Sequence, residues 1–217
     1  MLPQWLDNLL GRKPGRSDTE PENESDSEMG PSTLIVGLGN PGLEYSATRH
    51  NMGFLCLDRL ATVQRLRFTG KRAKSVVARG TVSGNDVALA KPQTYMNLSG
   101  ESVRELLRLY GLKPNALLVV YDDVDLPTGT IRIRERGGPG THNGMRSIVD
   151  EIDSTDFPRL RIGVGSPTNG QNLADYVLGV PSAEERVAID VALDRAVEAI
   201  QLVARRGLPA AMNQFNT

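Results

Sequence analysis

The sequence predicts an α/β fold: one domain built on a twisted, mixed β-sheet flanked by helices. Three observations lead there. Short apolar runs suited to buried strands, Thr33-Leu34-Ile35-Val36 and Leu117-Leu118-Val119-Val120-Tyr121, alternate with longer segments of helical period. The second of these runs is continuously apolar, as a central strand covered on both faces should be. Between residues 74 and 91 two valine-containing stretches flank a Ser83-Gly84-Asn85-Asp86 turn, a hairpin that adds antiparallel pairing.

Composition sets the boundaries. The chain has 217 residues, 39% of them apolar, which suits one globular domain after a polar tail. Residues 1–30 carry three basic and seven acidic side chains, leaving 22 basic against 19 acidic from residue 31 onward. The mildly basic part, 32–217, is expected to be the folded domain. Residues 1–31 are expected to be a disordered acidic extension, because 11–31 hold almost nothing to bury. Trp5, Leu6, Leu9 and Leu10 could form one docking helical turn, although a free leader is the simpler reading. Asp7 interrupts any signal-peptide core, and a transit peptide would be poor in acids. A single cysteine excludes an internal disulfide and fits a reducing compartment. No apolar run approaches the roughly 18 residues that span a bilayer.

The elements follow in order. After the first strand comes the loop Gly37 to Gly53, then a helix from Asn51 to about Leu66 whose apolar positions include Phe54, Leu57, Leu60 and Val63. Cys56 lies inside that segment, where a packed thiol is expected rather than a nucleophile. Pro92 ends the hairpin and begins the loop Gln93 to Asn97. A helix then runs through Val103, Leu106 and Tyr110 to a Gly111 stop, with Asn97 a possible N-cap. The central strand emerges into Asp122-Asp123-Val124-Asp125. Thr130 to Arg134 alternates, with Arg132 and Arg134 on one side. A glycine-rich loop leads into a helix over 143–153. Residues 159–164 form a further strand with its arginines on one face. Ser182 to Glu185 is a capping box that opens a long helix to Arg206, ended by Gly207. Its core stripe is expected at Val187, Val191, Leu193, Val197, Ile200 and Val203.

The chemistry narrows by residue type. Gly37-x-Gly39-x-x-Gly42 formally matches a dinucleotide fingerprint, but that motif needs a helix opening inside the glycines to hold a pyrophosphate. Here a Pro41-Gly42 turn intervenes and helical period waits until about residue 51. One cysteine cannot supply a cysteine cluster, His50 and His142 are not spaced as a His-x-x-x-His metal site, and no Gly-x-Ser-x-Gly elbow occurs. What remains is His50 on one strand-end loop and a carboxylate, Asp122 or Asp123, on another. Such a pair suits water activation, the imidazole taking the proton and the carboxylate orienting it. Asn40, Asn97 and Asn143 add neutral amides that suit a peptide backbone and a developing oxyanion. His142 is the rival base, but a helix start disfavours an imidazolium there.

Four motifs in order, G-L-G-N-P-G-x-x-Y-x-x-T-R-H-N-x-G, K-P-x-T-Y-M-N-x-S-G, D-D-x-D-L-P-x-G and H-N-G, resemble those of bacterial-type peptidyl-tRNA hydrolases, over about Leu34 to Leu178. The resemblance implies that fold, and hydrolysis of the ester joining a peptide or N-blocked amino acid to tRNA, which recycles stalled tRNA. It implies His50 as general base and Asp122 as its orienting partner, and Asn40 as the residue that senses an acylated amino group. Tyr45, Tyr95, Asn97 and Asn143 fall at substrate contacts, with Met96 lining the cleft. Arg134 falls at a tRNA phosphate contact, as does Arg161 on the later strand. Tyr121 stands where many members have His, and Thr141 where a Gly is usual. No cofactor and no metal are implied. The partner is peptidyl-tRNA, through its acceptor stem and attached peptide, and a cytoplasmic monomer is the default. Two other readings stand beside this one: a non-catalytic RNA-binding relative, which would need neither His50 nor Asp122, and a nucleotide-dependent enzyme using the glycine loop.

Overall fold

Alternation along the strands sorts their side chains between two helical layers. In the computed structural model, which describes residues 30–167 and 170–216, seven strands form one sheet. They are β1 Thr33–Gly37, β2 Gly70–Arg72, β3 Ser75–Val82, β4 Asn85–Pro92, β5 Leu117–Asp123, β6 Ile131–Arg134 and β7 Arg159–Gly163, in spatial order β2-β3-β4-β1-β5-β7-β6. β4, β1, β5 and β7 are mutually parallel, while β2 and β3 on one flank and β6 on the other pair antiparallel. The mixed sheet is therefore as expected. Apart from Gly30 and Pro31, the expected extension 1–31 lies outside the described residues.

On one face, Ile35, Leu118, Val120, Leu160 and Ile162 pack under α1 Met52–Gln64, α5 Ala183–Arg206 and α6 Leu208–Phe215. On the other, Leu34, Val36, Val119 and Tyr121 pack under α2 Ser99–Tyr110 and α3 Asn143–Ile152. This odd–even split of β1 and β5 is the period-two geometry of a strand buried on both sides. α2 stops at Gly111, whose φ of 64° closes the helix. α5 opens with the expected capping box, Ser182 and Glu185 bonding reciprocally.

A close backbone contact sets the entry of α1. A Cβ on Gly53 would meet the Leu38 N at 2.2 Å and the Val120 O at 2.3 Å, and one on Gly37 would meet the Gly53 O at 2.3 Å. The start of α1 thus lies directly on the carboxyl end of β1 and on the middle of β5. Cys56 is fully buried one turn further on, and burial pushes its thiol up to about 12.

Parts of the reading need correction. Val187 and Val191 are exposed, as is Val63. The buried face of α5 is Ile189, Ala192, Leu193, Ala196, Val197, Ala199 and Ile200. Leu193, Val197 and Ile200 are thus inside as expected and Val203 packs partly against the core, while Ala192, Ala196 and Ala199 share the buried face. Asn97 is not the N-cap of α2; Leu98 holds that position, after a 3₁₀ turn Met96–Leu98. β2, α6 and the short helix α4 Leu173–Val177 were not anticipated.

Candidate active site

The glycine loop does not hold a helix start. Two 3₁₀ turns, Leu43–Tyr45 and Arg49–Asn51, separate Gly42 from α1, and His50 sits in the second. Its neighbour Asn51 locks that turn to the loop: Asn51 Oδ1 accepts from the Asn40 N–H at 2.9 Å and its Nδ2 donates to the Asn40 O at 3.0 Å. Asn40 in turn uses its side-chain oxygen to accept from the Met96 N–H at 2.8 Å. Because a backbone N–H can only donate, this bond fixes the amide orientation. The Nδ2 of Asn40 is left with no partner among the described residues.

Strand alternation decides between the two acids. Asp122 shares the β5 face of Leu118 and Val120, the α1 side, and both its oxygens lie 3.0 Å from His50 Nδ1. Asp123 points to the other side, where it binds the Arg161 Nε and accepts from the Asp125 N–H at 2.9 Å. Asp122 is 1% exposed and His50 8% exposed. Burial works against the Asp122 charge, but the two imidazoles beside it outweigh that and hold its carboxyl far below the usual carboxylate range. Burial would lower His50, yet the charge and hydrogen bond of Asp122 outweigh it and raise the imidazole above its ordinary value. With Nδ1–H given to Asp122, Nε2 of His50 has no partner among the described residues.

His142 also reaches this carboxylate. It is the N-cap of α3, its Nδ1 accepting from the Met145 N–H at 3.2 Å, while Nε2 lies 3.2 Å from Asp122 Oδ1. The cap bond places the ring proton on Nε2, so His142 donates to Asp122. Its ring centroid lies 4.8 Å from that of His50 and 4.9 Å from that of Tyr121. Ligand atoms of His50, Asp122 and His142 lie within 4.8 Å of one another, which makes them the candidate cation site among the described residues. The donor set fits poorly: a metal on His142 Nε2 would force the proton to Nδ1 and break the helix cap.

Around these groups lies an open cleft of about 940 Å³. Asn40, Tyr45, Tyr95, Met96, Asn97 and Asn143 all line it, as do Arg134 and Arg161. With His50 and Asp122, the candidate site residues named from the sequence therefore line one cleft, whereas Arg132 does not. Tyr95 and Asn97 are exposed at the rim, and Asn97 has no side-chain partner among the described residues. Asn143 Oδ1 accepts from Arg146 at 3.3 Å, which leaves its amide nitrogen unclaimed. Arg132 lies opposite Arg161 and Arg134 opposite Arg159 across the β6–β7 pair, so four arginines share one face. Arg134 is exposed, whereas Arg161 is tied to Asp123.

Sequence reasoning missed three contributors. Asn51 was read only within a motif. Arg159, 2% exposed, ties the glycine-rich rim by donating to the Gly138 O at 2.9 Å. The α4 segment supplies Leu173, Ala174, Val177 and Leu178 to the opposite wall. The β-branched and apolar content of α4 carries no period in so short a helix, and hydrogen bonds to carbonyls leave no mark in a sequence.

An open parallel-centred sheet with a histidine–carboxylate pair and free amides at the strand ends is the layout of an α/β enzyme that works by general-base chemistry. The peptidyl-tRNA hydrolase family model matches residues 34–217. A peptidyl-tRNA hydrolase of Chloroflexus aggregans is 52% identical over 184 residues, 84% of this chain and 98% of the relative. That of Roseiflexus castenholzii is 55% identical over 184 residues, 84% of this chain and 86% of the relative. The crystal structure of peptidyl-tRNA hydrolase from Acinetobacter baumannii superposes with a TM-score of 0.82 at 40% identity, covering 88% of this chain and 98% of that one. The chain belongs to the peptidyl-tRNA hydrolase family.

Proposed function

We propose that this chain hydrolyses the ester between a peptide, or an N-blocked amino acid, and the 3′ end of tRNA, with water activated at His50. The observation that carries this reading is the division of His50: Nδ1–H is held by Asp122, and Nε2 is unclaimed in a cleft. A water donating to Nε2 would attack the ester carbonyl as its proton passes to the imidazole. Asp122 would stabilise the resulting imidazolium, and the carbonyl oxygen would become an oxyanion beside the unclaimed amide nitrogens. Collapse would return the proton from Nε2 to the departing ribose oxygen, leaving a free carboxylic acid and tRNA.

Asn40 supports discrimination between blocked and free amino groups. Its oxygen is spent on Met96, so only its N–H₂ faces the cleft. An acylated amine presents a carbonyl acceptor to that donor. A free ammonium presents donors only, and is refused. Tyr45, Tyr95, Asn97 and Asn143 are assigned to the peptide and 3′ end, with Met96 in the cleft floor. Arg134, with Arg161 beside it, is assigned to a phosphate of the acceptor stem, read by charge and shape rather than by base. A monomer in the cytoplasm, without cofactor or metal, is part of this proposal. Among the described residues no helix is long and apolar enough to cross a membrane. The acidic extension 1–31 is assigned no part in the reaction.

The test is release of N-acetyl-amino acid from acylated tRNA, with unblocked aminoacyl-tRNA as control. Rapid release from the first and negligible release from the second is the expected outcome. Equal release from both would sink the role given to Asn40, and release from neither would sink the function.

A further inference from the structure

His50 is flanked by two anchors, and the second has no part in the chemistry so far. Arg49 is 8% exposed and grips the end of α4 in several ways. Its backbone N–H donates to the Gly179 O at 3.1 Å, and its Nη1 lies 3.3 Å from the Tyr176 O and 3.4 Å from the Val180 O. Its Nη2 donates to Glu185 Oε2 at 2.8 Å, and its guanidinium lies over the Tyr176 ring at 4.3 Å. The same Glu185 oxygen accepts from the Ser182 N–H at 2.7 Å, so the capping box of α5 fixes the carboxylate that holds Arg49. Tyr176 is pinned from behind by its hydroxyl, which donates to the Val164 O at 2.7 Å.

A five-residue helix has little stability of its own and is placed by what holds it. Here the holder is the residue next to the proposed base, and the helix it holds lines the cleft with Leu173, Ala174 and Val177. We infer that Arg49 is a positioning residue that fixes the turn bearing His50 to the α4 wall, so that base and wall keep one spacing. The rigid fork of arginine suits this task, because one planar group meets two carbonyls and a carboxylate at once. Asn51 does the corresponding work toward the glycine loop, so the imidazole is held from both sides of the cleft. Misplacing a reacting group by 1 Å can cost on the order of 100-fold in rate. A partial loosening should therefore be visible in turnover.

The inference rests on His50 being the base, and the experiment separates the two. Arg49→Lys, Glu185→Gln, His50→Ala and Arg59→Met are compared with wild type in the full chain for kcat, KM, the pH profile of kcat/KM and Tm. Arg59 is the control, since it joins α1 to Asp190 and Asp194 of α5 away from the cleft. Arg49→Lys is expected to lose about tenfold in kcat, and Glu185→Gln about threefold, as their contacts loosen the base turn. Their acid limb should move down toward the ordinary histidine value, because His50 is held less closely to Asp122. Arg59→Met should keep wild-type kcat and pH profile whatever its Tm. Unaltered kcat and acid limb in both Arg49→Lys and Glu185→Gln would overturn the inference, as would an equal loss in Arg59→Met. Should Arg49→Lys fail to fold, Glu185→Gln decides. Near-normal turnover in His50→Ala would instead remove the reading of the base.

Discussion

Two histidine-bearing segments meet at one carboxylate and differ in what they do with their second nitrogen. The turn Arg49–Asn51 offers His50 Nδ1 to Asp122 and leaves Nε2 in the cleft. The loop before α3 offers His142 Nε2 to the same acid and spends Nδ1 on the Met145 N–H. Bonding to Asp122 therefore does not mark a base. On the proposed mechanism the free nitrogen does, which would leave His142 as a buttress that also caps a helix.

The largest expected effect breaks the comparison on the His50 side. His50→Ala should lower turnover by about 100-fold or more, the scale of a lost general base, with tRNA affinity little changed. Steady-state kinetics with a binding assay checks this, and near-normal turnover would pass the role to His142.

Removing the shared acid sharpens it through pH. In wild type the Asp122 charge raises His50, so the acid limb of kcat/KM should lie above the ordinary histidine value of about 6.5. Asp122→Asn removes that charge while burial remains, and burial favours the uncharged imidazole. The limb should move below about 6.5, with turnover down by about 100-fold as the orienting carboxylate is lost. A pH–rate profile in which the limb stays or rises would contradict this sign. An effect at Asp123 with none at Asp122 would reassign the acid.

On the His142 side the loss should be smaller. His142→Ala removes an N-cap, worth about 1 kcal/mol of stability. It also removes one of two donors to Asp122, for which we expect about a tenfold fall in turnover. Thermal melts and kinetics at one pH test both. A loss as deep as that of His50→Ala would erase the distinction between base and buttress.

The smallest effect lies at the rim. Arg134→Ala should raise KM several-fold with kcat little altered, and flatten the salt dependence by up to about one unit of log–log slope. A minimal substrate without the tRNA body should be cleaved equally by both proteins. Unaltered KM and slope on full tRNA would leave Arg134 as a surface charge on a strand.

Much of this was legible beforehand, for reasons that can be named. The strands β1 and β5 announced themselves because burial on both faces forces an unbroken apolar run. His50 and the acid pair stood out because so few groups of their kind were present at strand ends. The choice of Asp122 over Asp123 was also written in β5, since Leu118, Val120 and Asp122 fall on one side. That alternation could be applied only once the helices on that side were known. The stripe of α5 was right at Leu193, Val197 and Ile200 but overlooked Ala192, Ala196 and Ala199, which are buried beside them. Counting large residues put Val187 and Val191 inside, where the structure leaves them in solvent. Asn51 and Arg159 stayed hidden because they bond to backbone carbonyls and amides, which every sequence has, and Arg49 because its side-chain partner Glu185 lies 136 residues away.

The sealed thiol of Cys56 makes the molecule its own gauge of opening. It is the single cysteine of the chain, it is fully buried in the helix that begins just after His50, and burial pushes its thiol up to about 12. A thiol reagent can reach a fully buried sulfur only when the packing around it opens, so the rate of labelling would gauge that opening.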